Sequence, residues 1–337
     1  MSRNRPVIPH SSPWLTEEDE AVITRVLKTG LIARGSLCDE FEKGCKDYLG
    51  AVMTRAVGSG QKALSIALRA VGAAGKEVIL PSYVCDAVLS AVQSVDAIPV
   101  LCDVGVDWCV DRSSVVPHLS DKTAAIIVVH TFGIHADVQS LTDLGVPVVE
   151  DCCQYFAAGM GKSGDISAFS FHATKCLTMG EGGLVATSKG GMASAMFELP
   201  ESSAARISDI QAALGLSQLS RYDEMLARRA WIAASYLDVL PEKLTARIRS
   251  VKDRSMFFRF PLQTEHNFEE VKAAFYDRGV HVRKGVDTLL HRKLGMGDEG
   301  FEQSVRLFDE TLSIPIYPAM SDEEVASVAA AAKEILD

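Results

Sequence analysis

The chain has 337 residues, 47% of them hydrophobic, with 34 basic against 44 acidic side chains and a formal net charge of −10. That length holds one large core plus a smaller one, and basic residues so scattered and outnumbered exclude an electrostatic footprint for nucleic acid or an anionic membrane. No apolar run reaches the roughly 18 residues of a spanning helix, and the opening "MSRNRPVIPHSSPW" lacks the apolar core of a signal peptide, so a cytoplasmic protein is expected. Eight cysteines, Cys38, Cys45, Cys85, Cys102, Cys109, Cys152, Cys153 and Cys176, show no CxxC pair and no dense secreted pattern. Reduced thiols and no metal site are the expectation.

The first chemical signal along the chain is "VGSGQKALSIALRAVG", residues 57–72. Ser59, Gly60 and Gln61 open directly into an amphipathic helix, which leaves backbone N–H groups and a positive dipole end unpaired, and phosphate is the favoured guest of such a turn. Read alone, it is equally a helix with a Ser59 cap. Next come short apolar runs that read as buried strands: "EVILP" (77–81), "IPVLCDV" (98–104), "AAIIVVHTFG" (124–133) and "VPVVEDCC" (146–153). Amphipathic segments such as "CDAVLSAVQSV" and "ADVQSLTDLG" lie between them, a rhythm that predicts crossover units and a mostly parallel sheet flanked by helices. In such sheets ligands gather at the carboxyl ends of strands. In "PSYVCDAV" a strand ends in a Pro-Ser turn, where Tyr83 either lines that crevice or packs.

Two further strands are predicted in "DISAFSFH" (165–172) and "GGLVAT" (182–187), with Lys175 in the connection between them. The glycines of that connection allow a close backbone approach to a ligand. Asp151 ends an apolar strand, where a carboxylate is costly unless it meets a cation, strong donors or the next turn, and Gln154 follows three residues later. A lysine in a partly desolvated site has a lowered pKa and can form a covalent bond to a carbonyl compound, whereas one on a wet loop cannot. Residues 207–240 have helical periodicity throughout and are expected to bend or break near Gly215. The pattern then becomes α+β: strands in "FFRFPL", "VHVR" and "LSIPI", a helix in "NFEEVKAAFYDRG", and a last helix opened by the capping-box pair Ser321 and Glu324. A large domain over 1–220 and a small α+β domain over 221–337 are therefore expected.

Taken together, "GSGQKAL", "VILPSYVCDAV", "IPVLCDV", "VVEDCCQ", "GDISAFSFHATKCLTMGEGG", "RISDIQAALGLSQL" and "LSIPIYPAMSDEEV" resemble the DegT/StrS family of pyridoxal-phosphate-dependent sugar aminotransferases of fold type I. The resemblance covers nearly the whole chain. It implies that Lys175 carries the cofactor covalently and later shuttles a proton, that Asp151 pairs with the pyridine nitrogen, and that Gln154 lies near the ring hydroxyl. Ser170 and the helix start at Ser59, Gly60 and Gln61 would hold the cofactor phosphate, and Cys85 would face the ring. His172 and His291 fall where substrate contacts are conceivable and packing roles equally so. The implied reaction takes an amino group from an amino-acid donor, glutamate by resemblance, and passes it to a keto sugar, usually nucleotide-linked. A homodimer is implied as well.

Three positions depart from the family: Cys85 where an aromatic ring stacks on the cofactor, Gln61 in place of threonine, and Ala204 in place of an asparagine that reaches the neighbouring subunit. The connections 155–165 and 188–205 look shorter than in relatives, which predicts a wider or differently walled acceptor site. Two other readings stand beside the aminotransferase. One is a different pyridoxal-phosphate reaction such as dehydration, against which Lys175 argues because that branch carries histidine there; the other is a binding protein without turnover.

Overall fold

The computed structural model describes residues 7–199 and 206–337. The chain opens with α1 (Glu17–Thr29) and α2 (Ser36–Leu49), each closed by a glycine in the left-handed region, Gly30 and Gly50. It continues through β1 (Met53–Val57), α3 (Gly60–Ala70), β2 (Glu77–Pro81), α4 (Asp86–Gln93), β3 (Ile98–Cys102), α5 (Arg112–Val115), β4 (Thr123–Val129), α6 (Gln139–Thr142), β5 (Val148–Asp151), β6 (Ile166–Ser170), β7 (Gly183–Thr187) and α7 (Gly190–Glu198). The seven strands form one sheet in the order β1-β7-β6-β5-β4-β2-β3. Its centre is parallel, and β7 runs antiparallel to both β6 and β1. Strands such as "TAAIIVV" are buried along almost their full length, as expected for a sheet covered on both faces.

This topology fixes where chemistry can gather. Val57 and Ser170 both pair with Gly183, so the carboxyl ends of β1 and β6 meet the start of β7. Asp151 pairs with Val129 and Ala168, which puts the carboxyl ends of β4, β5 and β6 on that same edge.

The expected bend near Gly215 does not occur. The helix α8 (Asp209–Ser220) runs through Gly215, where a Cβ would lie 2.6 Å from the Phe41 ring, so this glycine serves the close packing of α8 on α2. The break comes at Arg221, before α9 (Tyr222–Val239), because the Arg221 guanidinium is drawn onto the Asp19 carboxylate and the Trp14 carbonyl. The chain continues through α10 (Glu242–Val251), β8 (Phe260–Gln263), α11 (Phe268–Asp277), β9 (Arg283–Lys284), α12 (Leu290–Lys293), α13 (Glu302–Glu310), β10 (Thr311–Ile314) and α14 (Asp322–Leu336). These strands form an antiparallel sheet in the order β8-β10-β9. The predicted helix "ADVQSLTDLG" shrinks to the single turn of α6, and "VHVR" to the two residues of β9. The capping box of Ser321 and Glu324 forms as expected.

Ile79 and Val128 of the large sheet, and Phe132 in the turn after β4, share one core with Phe260, Leu312 and Ile314 of the small sheet. Among the described residues, no helix is long and apolar enough to cross a membrane. Ala204 lies outside the described residues.

Arg229 on α9 ties the helix to the segments that precede β8 and follow β10 in the small sheet. Its side chain is 3% exposed, and one guanidinium nitrogen donates to the carbonyls of Phe257, Phe258 and Ile316 at 3.0, 3.2 and 3.0 Å. Removing it strands buried carbonyls without donors. We expect Arg229→Ala to lower stability by about 3 kcal/mol, measured as the shift in a denaturant midpoint at unchanged slope.

Candidate active site

Lys175 lies on the loop between β6 and β7, and local hydrogen bonds set its shape. The backbone N–H of Phe171 donates to the Gly182 carbonyl at 2.8 Å, that of Met179 to the Phe171 carbonyl at 3.0 Å, and that of Lys175 to the His172 carbonyl at 2.8 Å. The Lys175 ammonium stands 4.9 Å from the centroid of the Phe258 ring, and no acid pairs with it among the described residues. Phe258 belongs to the segment leading into β8, so the amine is held between the two sheets. The glycines after Lys175 serve the protein's own backbone rather than a ligand's approach. Gly180 turns with φ 78°, and a Cβ on Gly183 would lie 2.4 Å from the Ser59 carbonyl oxygen.

That contact seats the start of α3 against β7. Ser59 caps the helix, its hydroxyl accepting from the Lys62 N–H at 3.3 Å, while the N–H groups of Gly60 and Gln61 have no partner among the described residues. Gly60 faces Ser170 directly: a Cβ added to it would lie 2.7 Å from the Ser170 Cβ and 2.8 Å from the Cys153 sulfur. The helix start, Ser170 and Cys153 therefore form one concave wall whose free donors are two amides and a hydroxyl, a set suited to a phosphate. Gln61 is exposed, and its backbone amide is an unpartnered donor at the helix start among the described residues.

Asp151 is 4% exposed at the end of β5. One of its oxygens accepts from the Cys153 N–H at 2.9 Å, and the Cys153 thiol also hydrogen-bonds the carboxylate. Gln154 fixes the next turn, its amide oxygen accepting from the Phe132 N–H at 2.7 Å, which leaves its NH2 end as the donor for a ligand. Cys85, exposed at the start of α4, and Cys153 each lie within electrostatic reach of both Asp151 and Lys175. Desolvation by the surrounding walls pushes both thiols up, Asp151 adds to the rise, and Lys175 opposes it. Both are neutral thiols at pH 7, soft surfaces rather than nucleophiles.

The remaining sequence candidates go elsewhere. Tyr83 is fully buried and packs edge-on against Phe132, so it fills the core beneath the site and does not line it. His291 is fully buried too: Nδ1 meets the Ser82 hydroxyl at 2.6 Å, Nε2 meets Asp298 at 3.0 Å, and the ring stacks on Phe301 at 4.2 Å. With both ring nitrogens engaged, His291 ties α12 to the end of β2 and offers nothing to a substrate. His172 is half-exposed and bonds Thr174 at 3.0 Å, shaping the Lys175 loop. Behind Asp151, His130 and Glu150 form a buried pair at 3.1 Å, with Glu150 also accepting from the Gly164 N–H at 2.6 Å. Cys152 is close enough to complete a metal triad, but His130 and Glu150 already satisfy one another.

Phe258 and Arg259 are site residues that sequence reasoning missed. They sit at the front of what reads as a strand, and only an arginine inside the otherwise apolar "FFRFPL" hinted at a special role. The turn Phe132–Gly133 brings them in: φ is 60° and 79° at these two residues, Met256 N–H donates to the Gly133 carbonyl at 2.8 Å, and Arg259 N–H to the Phe132 carbonyl at 3.2 Å.

These residues fit pyridoxal phosphate. A buried carboxylate without a cation partner suits a protonated ring nitrogen, an amine without an acid partner can take up an aldehyde, and the α3 wall offers donors to a phosphate. The model of the DegT/DnrJ/EryC1/StrS aminotransferase family matches residues 13–333. The chain belongs to that family. Its aminotransferases depend on pyridoxal phosphate. Among relatives of this family member, the spore coat polysaccharide biosynthesis protein SpsC of Bacillus subtilis is 27% identical, covering 98% of this chain and 97% of that protein. GDP-perosamine synthase of Escherichia coli O157:H7 is 26% identical, with 94% and 95% covered. Of solved structures, DesV of S. venezuelae superposes with a TM-score of 0.85 at 26% identity, covering 98% of each chain.

Proposed function

We propose that this aminotransferase moves an amino group from an amino-acid donor, glutamate in the first instance, to a keto sugar that is nucleotide-linked. The observation that carries the reading is the pairing of a lysine that no acid partners with a buried acid that no cation partners, among the described residues. Lys175 and Asp151 share the neighbours Cys85 and Cys153, beside a helix start with free amides. The relatives support the sugar acceptor, since GDP-perosamine synthase is named for an amino sugar on a nucleotide. Residues 1–220 act as the cofactor domain and 221–337 as a smaller one, a division supported by the break at Arg221 and the separate three-stranded sheet. A homodimer fits the exposed apolar side chains of Leu27, Leu31 and Ile32 around the end of α1.

Each side chain then has a task. When bound, pyridoxal phosphate supplies an electron-accepting ring and carries the amino group between the two substrates. Lys175 Nζ anchors that group covalently, and once released it takes the proton from the donor carbon and returns it on the other side of the reaction. Asp151 keeps the ring nitrogen protonated, which only a carboxylate held away from other cations can do. The α3 amides and Ser170 hold the phosphate, and the Gln154 NH2 orients the ring edge. Cys85 and Cys153 exclude water from the faces.

The test is spectroscopic. Protein mixed with pyridoxal phosphate should develop a visible band, and borohydride should fix the cofactor as added mass on the peptide containing Lys175. L-glutamate should bleach the band as the cofactor takes up the amino group. Lys175→Ala should show neither the band nor the added mass. A wild-type protein that forms no band, or a band that no amino acid bleaches, would overturn the assignment.

A further inference from the structure

Asp151 is a buried carboxylate with no cation beside it among the described residues, and Cys153 is the residue that offsets part of this cost. The turn after β5 folds back so that the Cys153 N–H donates to the carboxylate at 2.9 Å, a local bond between residues two apart. The same turn brings the Cys153 thiol to the carboxylate as a second donor. A backbone N–H is fixed in direction, whereas an S–H swings about its Cβ–Sγ bond. This one has another acceptor in reach, since the Ala168 carbonyl on β6 lies 3.8 Å from the sulfur. That carbonyl already accepts from the Cys152 N–H at 2.8 Å and keeps a second lone pair. The start of α3 closes in on the sulfur, a Cβ on Gly60 lying 2.8 Å from it, so the sulfur keeps its place while its proton turns. Desolvation pushes the thiol well up, and Asp151 adds to the rise against the opposing charge of Lys175, so the proton stays on sulfur at neutral pH.

We propose that Cys153 is a positioning residue for the cofactor's ring nitrogen, its thiol donating to Asp151 in the cofactor-free protein and turning to the Ala168 carbonyl when a protonated nitrogen takes its place. Sulfur suits this exchange because an S–H is a weak donor. It satisfies the carboxylate enough to keep it in place, and it gives way to a cation at little cost. A hydroxyl at the same position would compete harder with the ring nitrogen for Asp151. A methyl group would leave the carboxylate with its backbone donor alone, and the incoming nitrogen would have nothing to displace.

The inference rests on the proposed function, so its test reads binding and a thiol signature rather than turnover. Cofactor-free wild type, Cys153→Ala and Cys153→Ser are titrated with pyridoxal phosphate and with its deaza analogue, in which C–H replaces the ring nitrogen. The ratio of the two affinities isolates the contact with Asp151. It should rise about fivefold in Cys153→Ala, the worth of one displaced hydrogen bond, and should stay at or below the wild-type value in Cys153→Ser. A sulfur that only fills space would change both affinities alike. The S–H stretch, isolated as the Raman difference between wild type and Cys153→Ser, should move to higher frequency when pyridoxal phosphate binds and stay in place with the deaza analogue. An unchanged ratio in Cys153→Ala overturns the proposal, as does an equal rise in Cys153→Ser or an S–H band that pyridoxal phosphate does not move. If the proposed function itself fails and no cofactor band forms, the cofactor-free protein still decides the thiol's partner: Asp151→Asn should raise the S–H frequency, and a band that stays where it was removes the bond to Asp151.

Discussion

Asp151→Asn should lower the limiting rate of the glutamate half-reaction by about a thousandfold while leaving the cofactor attached to Lys175. The carboxylate and the amide are nearly isosteric, and the Cys153 N–H can donate to either at 2.9 Å, so the geometry survives. What is lost is the charge that keeps the ring nitrogen protonated, and with it the sink for negative charge at the donor carbon. Rapid-mixing absorbance with L-glutamate measures the rate, and borohydride-fixed mass on the Lys175 peptide checks attachment. Stability should move the other way. A carboxylate that is 4% exposed and has no cation beside it is costly in the cofactor-free protein, so Asp151→Asn should melt at the same or a higher temperature than wild type without cofactor. Added pyridoxal phosphate should then raise the midpoint less in the variant. A variant that turns over glutamate within tenfold of wild type would remove Asp151 from its role.

The second large effect is expected from Gly183→Ala, far from any reacting atom. A Cβ at this position meets backbone only: the Ser59 carbonyl oxygen at 2.4 Å, its carbon at 2.5 Å and the Gly60 nitrogen at 2.8 Å. No rotamer relieves that. Either β7 leaves its register with Val57 and Ser170 or the start of α3 moves outward, and both part the Gly60 and Gln61 amides from the Ser170 hydroxyl. A loss of about 3 kcal/mol in stability follows from overpacking. A comparable loss in cofactor affinity, about 100-fold, follows from two phosphate hydrogen bonds. Denaturant titration and a pyridoxal phosphate titration followed by absorbance give the two numbers. Wild-type cofactor affinity in Gly183→Ala would show that the α3 start is not the phosphate wall.

The sheet was readable because its central strands are buried on both faces, so "EVILP" and "AAIIVV" stand out as apolar runs between amphipathic segments. Asp151 draws attention because a carboxylate at the end of a buried strand is costly, whereas Lys175 taken alone reads as a loop lysine and owes its assigned role to the family resemblance. Edge strand β1, "MTRAV", carries no such mark, since its Arg55 and Thr54 side chains bond Met196 and Glu42 carbonyls from one edge of the sheet. The break at Arg221 was misplaced because propensity points to Gly215, while the cause is a carboxylate on α1, two hundred residues away in sequence. In the sequence Tyr83 is open between lining the crevice and packing, and the family resemblance raises His291 with packing or solvent as its other role. Only three-dimensional packing shows the one wedged under Phe132 and the other saturated by Ser82 and Asp298. Arg259 was invisible for the converse reason, being placed by a turn 127 positions earlier.

Phe132 has every part of itself in use: its N–H on Gln154, its carbonyl on the Arg259 backbone, its ring against Trp108 and Tyr83. Its φ of 60° is an unfavourable conformation that persists only because these contacts overdetermine it. The Gln154 amide on one side and the Arg259 backbone on the other are thus both hydrogen-bonded to one residue, at 2.7 and 3.2 Å. A change at this strut would be felt at both ends at once.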